Sequence, residues 1–262
     1  MLQLNLNQIT DAGTADSNWK SLYKVGGSAA LITLLVTLLD IIVSFLLRES
    51  EAGPGVRTVI DWFILFQDNW FLGLRDLGLL NIINMALAVP LFLALYAAHR
   101  RVNKSYAALA AILSFIGTAI YIANNKAFPM FTLSGQYVAA MTESQKSLII
   151  AAGKAMLAQG EDLTAGTFMG FFFPSVAGIV MAMVMLRNRI FSKLTALAGI
   201  LGFGLLLIFV ICVAFVPAIF DVAMIFAMGG GLLSMAWNIL VARRLFQLGC
   251  VEKKKTIRSL TT

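Results

Sequence analysis

Six long runs of apolar residues constrain this sequence more than any other feature. A bilayer core of about 30 Å needs roughly 20 consecutive apolar residues in a helix. The chain has 262 residues, of which 60% are hydrophobic and 13% charged, whereas a soluble domain has about 25% charged residues. We therefore predict an all-α polytopic membrane protein, a six-transmembrane-helix bundle. The predicted spans are residues 25–47, 77–98, 106–123, 165–186, 194–215 and 219–241.

Two segments between the spans are amphipathic instead of continuously apolar. Residues 56–73 carry several aromatic side chains, but acidic side chains interrupt them. Each central acid costs about 2.5–3.5 kcal/mol on insertion, so this segment is not expected to span. Residues 142–160 begin with Thr142-Glu-Ser-Gln145, which has the form of a helix capping box. We predict that both segments are interfacial helices on the outer face.

The ends of the chain differ from the central part in composition. Residues 1–18 are mostly polar and are predicted to be a flexible cytoplasmic tail, and residues 247–262 form a basic cytoplasmic tail. Between them, residues 19–246 are predicted to form the transmembrane domain. The first apolar run is about 23 residues long, which exceeds the 7–15 residues of a signal-peptide core, so we expect an uncleaved first span.

The distribution of basic residues predicts the orientation in the membrane. Of the 20 Lys and Arg residues, 14 lie near the N-terminus, in the loops at 99–105 and 187–193, or near the C-terminus. The positive-inside rule places such segments in the cytoplasm, and an even number of spans agrees with both termini being there. The net charge of +7 is explained by these flanks, so we expect no nucleic-acid partner.

Four segments carry a resemblance to a known family. They are KSLYKVGGS (20–28), ALYAAHRRVNKSYAALAAILSFIGTAIYIANN (94–125), LSGQYVAAMTESQKSLIIAAGKAML (133–157) and MVMLRNRIFSKLTALAGILG (183–202). Together they resemble a prokaryotic family of multipass integral membrane proteins catalogued as a domain of unknown function. The resemblance covers most of residues 20–210 and implies a location in a prokaryotic plasma (inner) membrane. It implies no activity and no site residues.

Polar residues inside the predicted spans are the candidates for a site, because ionisable groups within a bilayer are costly and often functional. All of them fall in the outer halves of their helices, which predicts an outward-facing polar pocket for a ligand or a proton. The candidates are Asp40, Asn81, Asn84, Thr118, Tyr121 and Asp221. Alternatively, Asp40 is neutral and bonded to Asn84, and these groups only hold helices together.

Glycines form a second pattern, which predicts close helix packing. Gly166 and Gly170 form a GxxxG motif, and Gly229, Gly230 and Gly231 lie at the centre of the sixth span. The alternative interpretation of the triple glycine is an unwound segment around a substrate, as in transporters.

Three functions remain open from the sequence. The favoured one is a module that binds or transports a lipid or a small apolar solute, with membrane lipids as its partners. The second is a structural or accessory protein that associates through its helices with a copy of itself or with a membrane partner. A membrane-embedded enzyme is the weakest alternative, because no catalytic motif is present. The chain has a single histidine, His99, and we predict neither a metal nor a cofactor.

Overall fold

Every secondary-structure element in the described part of the chain is helical. The computed structural model describes residues 19–47, 57–161 and 164–250. The predicted tail at 1–18, the first residue of the predicted helix at 56–73 and residues 251–262 of the basic tail lie outside the described residues. The helices are α1 (Lys20–Leu47), α2 (Val59–Asp68), α3 (Trp70–Asp76), α4 (Leu79–His99), α5 (Lys104–Asn124), α6 (Ala127–Ala139), α7 (Glu143–Gly160), α8 (Phe168–Asn188), α9 (Lys193–Phe215) and α10 (Phe220–Cys250), with a 3₁₀ turn at Pro217–Ile219.

Six of these helices are long and apolar enough to cross a membrane: α1, α4, α5, α8, α9 and α10, with the apolar stretch of α5 continuing into α6. They form a closed ring. Going round it, α1 packs against α4, α4 against α5, α5 against α8, α8 against α9, α9 against α10, and α10 against α1. The predicted fold class, a helical membrane protein with six spans, is confirmed.

The four shorter helices α2, α3, α6 and α7 form a cap at one end of the ring. They share an apolar cluster of their own, separate from that of the ring. Capping boxes at Thr58 and Thr142 start α2 and α7, and the second confirms the predicted capping box. We call the end of the ring that carries this cap the capped end, and the opposite end, which holds Lys20 and Cys250, the basic end. The cap cluster consists of Val59, Trp62, Phe63, Phe66, Leu74, Leu77, Ala127, Met130 and Leu157.

Apart from shifts of one to five residues at the ends of the spans, the helices differ from the sequence predictions in three places. The predicted helix at 56–73 is two helices, because the Asn69 side chain accepts a hydrogen bond from Leu72 N and starts α3. Helix α6 lies between the third predicted span and the predicted helix at 142–160, where we predicted no helix, and its buried Met130 packs in the cap. Helix α10 continues to Cys250, beyond the predicted end at residue 241, because it packs there against the start of α1.

Close packing of α1 is concentrated at the basic end. A Cβ at Gly26 would overlap Ala94 Cβ of α4, and Gly27 lies against the Phe246 ring of α10. The buried residues of α1 are all between Tyr23 and Ala30. Of the α1 side chains described from Leu31 onward, none is buried. The half of α1 nearest the cap is therefore packed more loosely than the half at the basic end.

Candidate functional site

A line of polar side chains follows one face of α1 toward the capped end. Thr33, Thr37, Asp40 and Ser44 are spaced by four, three and four residues, which brings them to the same side of a helix. Thr37 Oγ1 accepts a hydrogen bond from Asn84 Nδ2 of α4 at 3.4 Å. The side chains at 40 and 44 bond to the cap. We call these four residues the polar strip.

Arg75 of α3 joins the cap to the polar strip. Its Nε donates to Asp40 Oδ1 at 2.8 Å, and its Nη2 donates to Asp40 O at 2.8 Å and to Ser44 Oγ. Its Nη1 donates to Asp76 Oδ1, also at 2.8 Å. Each of the three guanidinium nitrogens therefore has an acceptor. The Arg75 side chain is only 9% exposed, whereas that of Asp40 is 41% exposed.

The turn between α3 and α4 sets the position of Arg75. Gly78 has φ of 92°, a left-handed conformation that glycine adopts without steric cost. Two side chains at the end of α5 hold this turn. Tyr121 Oη donates to Gly78 O at 3.5 Å, and Nδ2 of Asn125, the residue that caps α5, donates to Leu77 O at 2.8 Å. Because α5 fixes the turn, it also fixes the point from which Arg75 reaches α1.

Charged side chains of this cluster form a chain of ion pairs. Arg57 Nη1 lies 2.8 Å from Asp76 Oδ2, so two arginines and two aspartates alternate from Arg57 to Asp40. The Arg57 guanidinium also lies over the Trp62 ring, 5.0 Å from its centroid. Within the described ranges, no group of three or more His, Cys, Asp or Glu side chains is placed to hold a metal ion. The cluster is thus an ionic clasp between cap and span.

The structure brings only some of the predicted site residues together. Asp40 lies on the strip and Asn84 faces it from α4, while Asn81 is half-buried one turn earlier on α4. The expected alternative of an Asp40–Asn84 bond is not found, because Asp40 binds Arg75 and Asn84 binds Thr37. Asp221 is exposed at the start of α10.

Thr118 and Tyr121 lie in the contact between α4 and α5 instead of on the strip. Thr118 Oγ1 donates to Met85 O at 3.2 Å, and Tyr121 is fully buried against the turn at Gly78. The ring of Tyr121 also meets Phe171 of α8, with ring centroids 5.0 Å apart. These two residues position the helices that carry the strip and its clasp.

Most of the glycines that we predicted to lie in helix contacts pack against other helices of the same chain. A Cβ at Gly166 would overlap Gln159 O at the end of α7, and one at Gly170 would lie 2.9 Å from Tyr121 Cβ. On α10, a Cβ at Gly230 would lie 3.0 Å from Gly202 O of α9, and one at Gly229 would lie 3.4 Å from Leu205 Cδ1. Gly231 has no neighbouring atom within 4 Å of that position among the described residues.

We therefore expect the stability of the fold to respond differently when Gly230 and Gly231, which are adjacent on α10, are replaced by alanine. Gly230→Ala is expected to destabilise the fold by about 1–2 kcal/mol, since its Cβ would press on the α9 backbone and overpacking costs about 1–3 kcal/mol. Gly231→Ala is the matched control and is expected to leave the melting temperature unchanged or raise it slightly. Thermal unfolding of both variants in one detergent measures the difference, and equal behaviour would contradict the α9–α10 contact described above.

Sequence reasoning missed four residues of the site: Thr33, Thr37, Ser44 and Arg75. The spacing of 33, 37, 40 and 44 was present as a signal, because the four fall on one helical face. The role of Arg75 had no comparable signal. Its contact with α1 depends on how the turn at Gly78 directs the cap.

Comparisons with known proteins identify a family but no function. No curated protein and no solved structure matches the chain. The family described as "Domain of unknown function (DUF4386)" matches residues 32–240. That range includes the polar strip, the cap and all of the ring except the first turns of α1 and the last turns of α10. This agrees with the expected resemblance to an uncharacterised family of membrane proteins. The chain belongs to the family of the domain of unknown function DUF4386.

Proposed function

We propose that the protein binds a lipid or a small apolar solute along the polar strip, as a binding or transport module in the membrane. The observation that carries the proposal is the position of the strip. Its four polar side chains lie on the half of α1 that has no buried residue among the described side chains. A carboxylate and its arginine are thereby held beside the apolar surfaces that an acyl chain contacts.

The packing of α10 supports access from the bilayer. α10 is the other helix, besides α4, that neighbours α1 in the ring. Before Trp237, its buried residues are Ala223 and Gly230, which pack toward α9. The tight contacts between α1 and α10 involve Gly27 and Gly249 at the basic end. A chain-like ligand entering from the side near the cap would therefore displace few packed atoms.

The proposed orientation places the cap outside the cell. The described loops at the basic end carry Arg100, Arg101, Lys104, Arg187, Arg189 and Lys193. The positive-inside rule assigns this end to the cytoplasm, with both termini. We place the protein in a prokaryotic plasma membrane, with the strip beneath the cap in the outer half of the bilayer.

The glycine contacts weigh against the alternative of an accessory protein that associates through small residues. Gly166, Gly170 and Gly230 face α7, α5 and α9 of the same chain. A GxxxG surface acts in helix association when it is free to meet another helix. Here those positions are occupied by intramolecular contacts, so the structure offers this alternative little support.

Photo-crosslinking tests the proposed binding site. A photoreactive amino acid replaces Thr37 on the strip in one variant and Leu35, which is 62% exposed, in the other. The variants are irradiated in native membranes, and the attached lipids or solutes are identified by mass spectrometry. We expect the adducts at position 35 to contain lipids in their bulk proportions. The adducts at position 37 should be enriched in one class of molecule. Equal composition at the two positions, or no adduct at 37, would contradict the proposal.

A further inference from the structure

Trp70 and Phe71 form an exposed aromatic pair on the cap, at the start of α3. Trp70 is 58% exposed and Phe71 is 41% exposed. Their ring centroids lie 6.0 Å apart at an interplanar angle of 86°, which is an edge-to-face arrangement. Further along α3, Gly73 and Leu74 are buried in the cap. The pair therefore projects from the cap and does not contribute to its core.

The depth of α3 in the membrane follows from the contacts of Arg75. This side chain donates hydrogen bonds to Asp40 and Ser44 of α1. Those two residues follow Lys24, which is exposed at the basic end, by 16 and 20 residues, or about 24 and 30 Å along the helix. Since the apolar core of a bilayer is about 30 Å thick, Asp40 and Ser44 lie near its outer boundary. Arg75 therefore lies near that boundary as well.

The aromatic pair lies close to the same level. Trp70 and Phe71 precede Arg75 by five and four residues of one helix, a distance of at most about 8 Å along its axis. The headgroup zone extends about 5–8 Å beyond the apolar core on each side. Whichever way α3 is inclined, the pair thus lies in this zone or next to it.

Aromatic side chains suit the boundary between acyl chains and headgroups. Tryptophan combines a large apolar ring with one N–H donor and is enriched at both membrane–water interfaces. At the basic end, Trp19 occupies the equivalent level, with its ring centroid 4.7 Å from the Arg100 guanidinium. The outer half of α1 exposes Ile41, Ile42 and Leu46, so the apolar outer surface of the spans continues up to the level of the pair.

The other side of the cap has a different surface. The exposed residues of α7 are polar side chains and alanines, apart from Leu148. Such a surface suits water better than lipid. A protein partner on the aromatic pair has less support, because a stable interface buries about 800 Å² on each partner. The exposed parts of two aromatic rings provide only a fraction of that area.

From these observations we propose that Trp70 and Phe71 insert into the outer boundary of the bilayer and anchor the cap there, with the lipid surface as their partner. The α7 side of the cap faces water. Helix α3 is then held from two directions, by lipid at its start and by α1 at Arg75. This inference concerns the seat of the cap and does not require a ligand on the polar strip.

Spin labels in lipid nanodiscs test the anchor. Cys212 and Cys250 are replaced by alanine, and the nitroxide is attached to Trp70→Cys, Phe71→Cys or Ser147→Cys. Oxygen concentrates among the acyl chains, whereas a nickel chelate stays in water. We expect the ratio of oxygen to nickel collisions at positions 70 and 71 to be several-fold higher than at Ser147, which is exposed on α7.

Fluorescence quenching examines the pair without a label. Lipids brominated near the headgroup end of their acyl chains quench tryptophans that lie close to the bromines. Trp62 and Trp237 are only 5% and 1% exposed, so Trp70→Phe should remove a large share of the quenching seen with the wild type. Trp237→Phe is the matched control, because it replaces a fully buried ring, and it should leave most of the quenching in place.

Two results would overturn the anchor. Collision ratios at positions 70 and 71 as low as that at 147, with quenching unchanged in Trp70→Phe, would place the pair in water. Protection of both labels from both reagents would mean that protein covers the pair, either another part of this chain or a second copy. Neither result bears on the proposed binding site, which the adducts at position 37 test separately.

Discussion

Replacing Arg75 with glutamine is expected to lower the unfolding free energy by about 2–4 kcal/mol. Removing one partner of a fully buried ion pair costs about 3–5 kcal/mol, and the lower range applies here because Asp40 is 41% exposed. The loss is large because one guanidinium serves Asp40, Ser44 and Asp76 together. For a chain of this size, the melting temperature should fall by roughly 5–15 °C.

An exposed ion pair of the cap provides the control. Lys146 Nζ lies 3.0 Å from Glu143 Oε1, and the Glu143 side chain is 90% exposed. Such surface pairs contribute little, so Lys146→Gln should leave the melting temperature within error of the wild type. In the double variant Asp40→Asn/Arg75→Gln, part of the loss should be recovered, because no carboxylate at position 40 is left without its cation. If Arg75→Gln unfolds no earlier than Lys146→Gln, the ionic clasp does not join the cap to α1.

Gly26→Ala is expected to disturb the opposite end of the ring. An added Cβ would overlap Ala94 Cβ and lie 3.2 Å from Pro90 O, and the backbone of α4 cannot yield as a flexible side chain can. Overpacking of this kind costs about 1–3 kcal/mol, although alanine is intrinsically about 1 kcal/mol better than glycine within a helix. We expect a net fall in the melting temperature of several degrees, at about 2–4 °C per kcal/mol.

Two further variants make this result specific to the α1–α4 contact. Gly204→Ala adds the same methyl group where no atom lies within 4 Å among the described residues, so it should not lower the melting temperature. Adding Ala94→Gly to Gly26→Ala removes the opposing Cβ and should restore part of the lost stability. Failure of this rescue, together with equal losses at positions 26 and 204, would show that α1 and α4 do not meet as described.

The spans were predictable because the bilayer imposes a simple requirement on each of them. About 20 apolar residues must be consecutive. Each span can be recognised from its own residues, without knowledge of the other helices. Helix α6 was not predicted, since Pro129 and Gly135 interrupt a short segment of mixed polarity. It becomes a helix in the structure because Met130 packs into the cap, which is a tertiary effect.

The candidate site was predictable only in part, for a related reason. Asp40 was identified because a carboxyl group inside a span is exceptional. Its partner lies 35 residues away on a different helix, and the turn at Gly78 decides whether the two meet. Tyr121 has the right depth for a pocket residue, but its hydroxyl bonds to that turn. Depth along a helix is readable from the sequence, whereas the direction of a side chain around the helix depends on neighbouring helices.

A density map of the purified protein in lipid nanodiscs tests the central claim most directly. We expect ordered, elongated density beside the half of α1 nearest the cap, in contact with the polar strip and reaching the bilayer. Direct helix-to-helix packing along this whole half of α1, with no density between the polar strip and its neighbours, would contradict it.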